Sequence, residues 1–91
     1  MYYVYVLLSR KDNKFYTGST KNLTERLERH NKGLVNATKY RRPLKIMYFE
    51  ACLSIKDSLR RESYLKTAWG KRYLKNRLRE SLRVIQEAPI R

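Results

Sequence analysis

What the chain has little of narrows it first. Among its 91 residues there is one cysteine, Cys52, which excludes an internal disulfide and any cysteine-cluster zinc site. Eight acidic residues, most on polar faces or in loops, are too scattered for a carboxylate-rich two-metal centre. With three glycines and two prolines there is no low-complexity tract, and the length admits one domain. The longest apolar run is Val4–Leu8, or Tyr2–Leu8 with tyrosines counted, far too short to cross a bilayer. No apolar h-region follows the N-terminus, so the expected compartment is the cytoplasm.

What the chain has in excess is positive charge. Twenty-two Lys and Arg give a formal net charge of +14 and a pI near 10.3. A field of that strength calls for a polyanion: nucleic acid first, with an anionic membrane or an acidic protein as rivals. The segment Lys71–Arg83 partly fits a membrane-surface helix, but a larger opposing apolar face would be needed. Charge alone supplies phosphate affinity with little sequence information.

The local patterns read as a small mixed α/β domain in the order β-β-α-β-α-α, a three-stranded antiparallel sheet flanked by helices. Tyr2–Leu8, rich in β-branched and aromatic residues, predicts a strand. The polar stretch Ser9–Lys14 contains Asp-Asn and predicts a hairpin loop returning through Phe15–Gly18. Asn22 with Glu25 three residues on, and Gly33 beyond, bracket the first helix. A basic loop, Asn36–Arg42, ends at Pro43, and Leu44–Leu53 predicts the third strand. Ser54 with Asp57 opens a helix running to about Thr67. Gly70 weakens helix around Ala68-Trp69, and a last helix follows over Lys71–Arg83 with the stripe Leu74, Leu78, Leu82. The domain is expected to occupy residues 1–83 and residues 84–91 to form a loose tail.

Polar residues fall where a core face should be. With Leu23 at zero on a helical wheel, Leu27 lies at about 40°, His30 at about −20° and Arg26 at about −60°. With Leu59 at zero, Ile55 lies at about −40°, Lys66 at about −20° and Glu62 at about −60°. Burying such charges unpartnered is costly. Each has a structural explanation: a core histidine, a Glu62–Lys66 helix pair, an Arg26–Glu62 ion pair. Together, in a basic domain with eight tyrosines, they read as a polar site on a phosphate-binding surface. Phosphodiester cleavage needs a cation on the phosphate, a base for water and stabilisation of the leaving oxygen. Mg²⁺ needs only one or two protein carboxylates, arginine grips phosphate through two donors, and a tyrosine beside such cations is acidified.

At this point the chain resembles the GIY-YIG nucleases. Tyr3-Val4-Tyr5 and, after a short hairpin, Tyr16-Thr17-Gly18 are similar to the paired tripeptides that name the family. The likeness continues through Asn22–Asn31 with Arg26 and His30, the basic loop with Tyr40 and Pro43, and the Leu-Arg-Arg-Glu62 helix with Lys66. It covers roughly residues 1–80 and resembles the small stand-alone bacterial members. The resemblance implies that Arg26 holds the scissile phosphate, His30 assists proton transfer or orients a tyrosine, and Glu62 is the single metal-binding carboxylate. It implies that Tyr5 or Tyr16 is the general base; Tyr5 as orienting group and Tyr16 as base is the reading preferred. Tyr40 matches a further loop tyrosine or histidine, and Asn76 is the nearest match to an asparagine beyond the glutamate helix, though it lies about 200° from Leu74 on the wheel. Tyr3 and Thr17 depart from the glycine and isoleucine of the two tripeptides, which bears on strand packing more than on chemistry.

The expectation is therefore an endonuclease that hydrolyses phosphodiester bonds in DNA, structure-directed or weakly sequence-specific, using one Mg²⁺ or Mn²⁺ on Glu62. Lys71, Arg72, Lys75, Arg77, Arg79 and Arg83 would grip the backbone, a protein partner could supply target choice, and a monomer is expected. The alternative is a non-catalytic nucleic-acid binding module keeping the fold; a membrane-surface protein is the third. Trp69 is expected to anchor the last helix, Cys52 to be a small buried hydrophobe, and Gly18 to allow a close approach or a bulge.

Overall fold

The computed structural model describes residues 1–87. Strand β1, Tyr2–Ser9, is the middle of a three-stranded antiparallel sheet, with β2 (Phe15–Thr20) on one side and β3 (Leu44–Cys52) on the other. Its apolar run has no polar alternation because both of its faces are covered, so Val4 through Ser9 are all buried. Val4 and Val6 meet Leu65, Leu74 and Leu78 on one face; Tyr5 and Leu7 meet Leu44, with Leu23 and Leu27 at the margin, on the other. Each fully buried leucine or valine contributes roughly 1.5–3 kcal/mol.

The helices are α1 (Leu23–Asn31), α2 (Ile55–Leu65), α3 (Ala68–Arg77) and α4 (Arg79–Glu87). The predicted caps form: Asn22 Oδ1 accepts from Glu25 N–H at 3.1 Å, and Gly33 takes φ +76° after α1. The β1–β2 loop turns through Asn13, at φ +61°, and is organised by Ser9, whose Oγ accepts from the N–H groups of Lys11 and Asp12 and donates to the Arg41 carbonyl. Asp12 in turn binds Arg41 at 2.7 Å, fastening this loop to the segment before β3.

Five expectations are corrected. The last helix is two: capped by Thr67, α3 begins at Ala68, three residues earlier than Lys71, Leu78 ends it, and α4 follows. Gly70 permits the early start, since a Cβ there would run into the backbone of Tyr64 and Leu65 where α3 crosses the end of α2. The loose tail is overturned for residues 84–87, which continue α4 with Arg83 paired to Glu80 and Glu87; residues 88–91 lie outside the described residues. The inward face of α2 is not Ile55 and Leu59, both about half exposed, but Ser58 and Leu65. Ser58 is tolerated inside because its hydroxyl donates to the Ile55 carbonyl at 2.7 Å. Trp69 is no anchor: it is 68% exposed and stacked by Arg72, while Cys52, on an edge strand, is half-buried.

Candidate active site

Strand pairing decides which side chains share a face. Tyr5 lies opposite Gly18 and Leu7 opposite Tyr16, so both tyrosines face α1; Val4 lies opposite Ser19, so Ser19 faces α2. Gly18 opens room across the ladder: a Cβ there would stand 2.5 Å from the Tyr5 hydroxyl. Tyr5 is therefore laid across the edge strand.

On the α1 face the wheel reading holds. His30 is 1% exposed and lies among the rings of Tyr5 and Tyr16, with centroids at 5.5 and 5.2 Å. Its Nε2 is 2.8 Å from the Tyr5 hydroxyl and its Nδ1 2.7 Å from Thr38 Oγ1. Arg26 Nε–H donates to the same Tyr5 hydroxyl at 3.2 Å. With the Nδ1–H tautomer the chain runs in one direction, from Arg26 to Tyr5 to His30 to Thr38. Burial, then the neighbouring Arg26 charge, holds the His30 pKa down to about 4, so the ring is neutral at pH 7. Burial also raises the Tyr5 phenol above its ordinary value, outweighing the hydrogen bond from Arg26. That hydrogen bond raises the Arg26 pKa in return, and Tyr16 lies within electrostatic reach of the guanidinium.

Glu62 comes to the same edge from the other face. Its side chain is 19% exposed; Oε1 accepts from Ser19 Oγ at 2.9 Å and Oε2 from Lys66 Nζ at 3.0 Å. The carboxylate contributes to the Tyr5 electrostatics, so the two halves meet where Gly18 carries no side chain. The anticipated Arg26–Glu62 ion pair is replaced by these two contacts. Among the described residues no three His, Cys, Asp or Glu side chains gather into a metal cage. A lone, accessible carboxylate with an ammonium already beside it fits a hydrated Mg²⁺ or Mn²⁺, which retains waters, rather than a fully protein-ligated zinc.

Thus Tyr5, Tyr16, Arg26, His30, Glu62 and Lys66 are brought to one edge. Tyr40 is not: it is 75% exposed beneath the Lys39 ammonium. Asn76 is exposed on α3 and has no hydrogen bond in the cluster. Two members carried no sequence signal of function. Ser19 was recoverable from strand alternation with Thr17; Thr38, in an irregular segment, was not.

Residues 1–79 match the GIY-YIG catalytic domain. A UPF0213 protein of Syntrophus aciditrophicus is 42% identical over 66 residues, covering 70% of this chain and 75% of that protein. One from Clostridium perfringens is 42% identical over 67 residues, 72% of this chain and 71% of its own. One from Staphylococcus saprophyticus is 35% identical over 75 residues, 81% and 90% respectively. No solved structure matches the chain.

Proposed function

The chain belongs to the GIY-YIG family, a nuclease-type domain, and on that premise we propose that it is a metal-dependent endonuclease hydrolysing phosphodiester bonds, with DNA as its substrate. The observation that carries this reading is the convergence of Arg26, Tyr16 and Glu62 on one exposed sheet edge from opposite faces.

Arg26 binds the scissile phosphate. Its Nε donates to Tyr5, which fixes the plane in which the terminal nitrogens can meet phosphate oxygens. Tyr5 is 0% exposed and serves as a positioning residue, holding Arg26 against neutral His30. Half-buried Tyr16, beside the Arg26 guanidinium, is the group that takes the proton from the attacking water. Glu62 is the holder of a divalent cation, which when bound supplies charge neutralisation at the phosphate and the leaving oxygen. Lys66 must release Oε2 for this, and its side chain, 55% exposed, is free to swing. The Lys66 contact also supports a second reading, a binding module in which the ammonium keeps the carboxylate permanently occupied.

The deciding test is a nicking assay on supercoiled plasmid and branched DNA with Mg²⁺, Mn²⁺ or chelator, wild type beside Glu62→Ala. Metal-dependent cuts lost in the variant are expected. Salt-sensitive binding without cuts on either substrate would favour the binding module.

A further inference from the structure

We infer that the strand leaving the candidate active site runs along one groove, between the β1–β2 loop and α3–α4, and is gripped by Lys71, Lys75 and Arg79 but not by Arg72 or Arg77. This rests on the nucleic-acid reading above and deepens it by dividing the basic C-terminal residues into two sets.

The groove has a volume of about 860 Å³, and its lining includes Lys14, Phe15, Lys71, Lys75, Arg79 and Arg83. It is joined to the candidate active site: Phe15 and Lys71 also line a hollow of about 180 Å³ whose other walls include Tyr16 and Lys66. A phosphate at Arg26 and Tyr16 therefore has a continuous cationic path beside it. The path is built by helical spacing. With Leu74 at zero on the wheel, Lys71 falls at about 60° and Lys75 at about 100°, on one flank of the leucine stripe that packs on the sheet. Arg77 falls at about −60°, on the opposite flank, and Arg72 at about 160°, facing away. Arg79, one turn after Lys75, carries the row across the α3–α4 break.

The charges on this path are available. Lys14, Lys71, Lys75 and Arg79 have no acidic partner among the described residues, whereas Arg83 is already shared between Glu80 and Glu87. The one carboxylate in the lining, Asp12, is neutralised by Arg41 at 2.7 Å. Arg72 is engaged with the Trp69 ring at 4.9 Å. From Lys71 to Arg79 the rise is at most roughly 12 Å at about 1.5 Å per residue, the length of about three to four phosphates of one strand.

The test is binding of a short labelled DNA duplex to the full chain in chelator, titrated across salt concentrations, so that cutting plays no part. Lys75→Ala/Arg79→Ala and Arg72→Ala/Arg77→Ala remove equal charge from exposed positions, and thermal unfolding checks that both fold. The first variant should bind at least about tenfold more weakly near 0.1 M salt, with a salt slope shallower by about 1.8, two phosphate contacts' worth. The second should keep the wild-type slope within about 0.5. Equal losses in the two variants, or a larger loss in the second, would overturn the groove. If DNA is never cut but this difference persists, the track stands and the nuclease falls; cuts without the difference remove only the track.

Discussion

Two glutamates stand on the same face of the sheet at opposite edges, and their surroundings differ in kind. Glu50, on β3, takes both its oxygens to Arg61 Nε at 2.9 and 3.1 Å and accepts from the Tyr48 hydroxyl at 3.0 Å. Arg61 itself lies against the rings of Tyr64 and Tyr73, which fixes the guanidinium in place. Glu62, beside β2, has among the described residues only a serine hydroxyl and a lysine on a long flexible stem as hydrogen-bond partners. A carboxylate clamped by arginine under aromatic rings is structural. One held by a hydroxyl and a mobile ammonium keeps the capacity to exchange partners, and that is the one beside the tyrosines.

The sharpest way to break this comparison is to neutralise each glutamate in turn. Glu62→Gln should lower metal-dependent cleavage by about 10³-fold or more with folding retained, whereas Glu50→Gln should leave cleavage within about threefold and cost roughly 1 kcal/mol of stability. Cleavage kinetics and denaturant unfolding of the pair read this directly; equal loss of cleavage in both folded proteins would erase the distinction. Next comes the division between the tyrosines. Tyr16→Phe should reduce cleavage by about 10²–10⁴-fold at little cost in stability. Tyr5→Phe should reduce it less, yet destabilise the fold by about 1–3 kcal/mol because His30 Nε2 and Arg26 Nε lose their shared partner.

A third effect belongs to His30. Its folded pKa, about 4, is below the ordinary 6.5, so the unfolded chain binds the proton first as pH falls. The stabilisation is complete above about pH 6.5 and is lost progressively toward pH 4, amounting to about 3 kcal/mol, and His30→Gln should flatten that window in urea titrations across pH. A further effect on stability alone is expected at Gly18. An added methyl stands 2.5 Å from the Tyr5 hydroxyl, so Gly18→Ala should lower stability by about 1–3 kcal/mol, seen as a thermal midpoint several degrees lower.

Much of this was legible in the sequence, for identifiable reasons. The strand at Tyr2–Leu8, the Asn22 cap and the placement of His30 and Arg26 beside Leu23 and Leu27 all followed from local pattern, because there local pattern and tertiary packing agree. On α2 they disagree. Leu59 and Ile55 face outward and a serine faces in, so Glu62 reached the site by sharing a face with Ser58 and Leu65, which apolar periodicity does not reveal. The early start of α3 depended on Gly70 meeting the backbone of α2, a contact between elements that no window of sequence contains. Thr38 was invisible for the same reason, since its role is defined by a histidine eight residues away across an irregular segment.

The position of β2 at the margin of the sheet has a consequence beyond chemistry. A strand whose outer backbone groups lack a ladder partner is a template on which another extended chain can pair. Lys66 and Lys71 adjoin that margin, and Arg26 stands over it. Like charges on two copies approaching edge to edge repel, so the cations proposed to meet phosphate also keep the strand from recruiting its own kind. Charge removed there to weaken substrate binding would also be expected to lower the concentration at which the protein begins to aggregate.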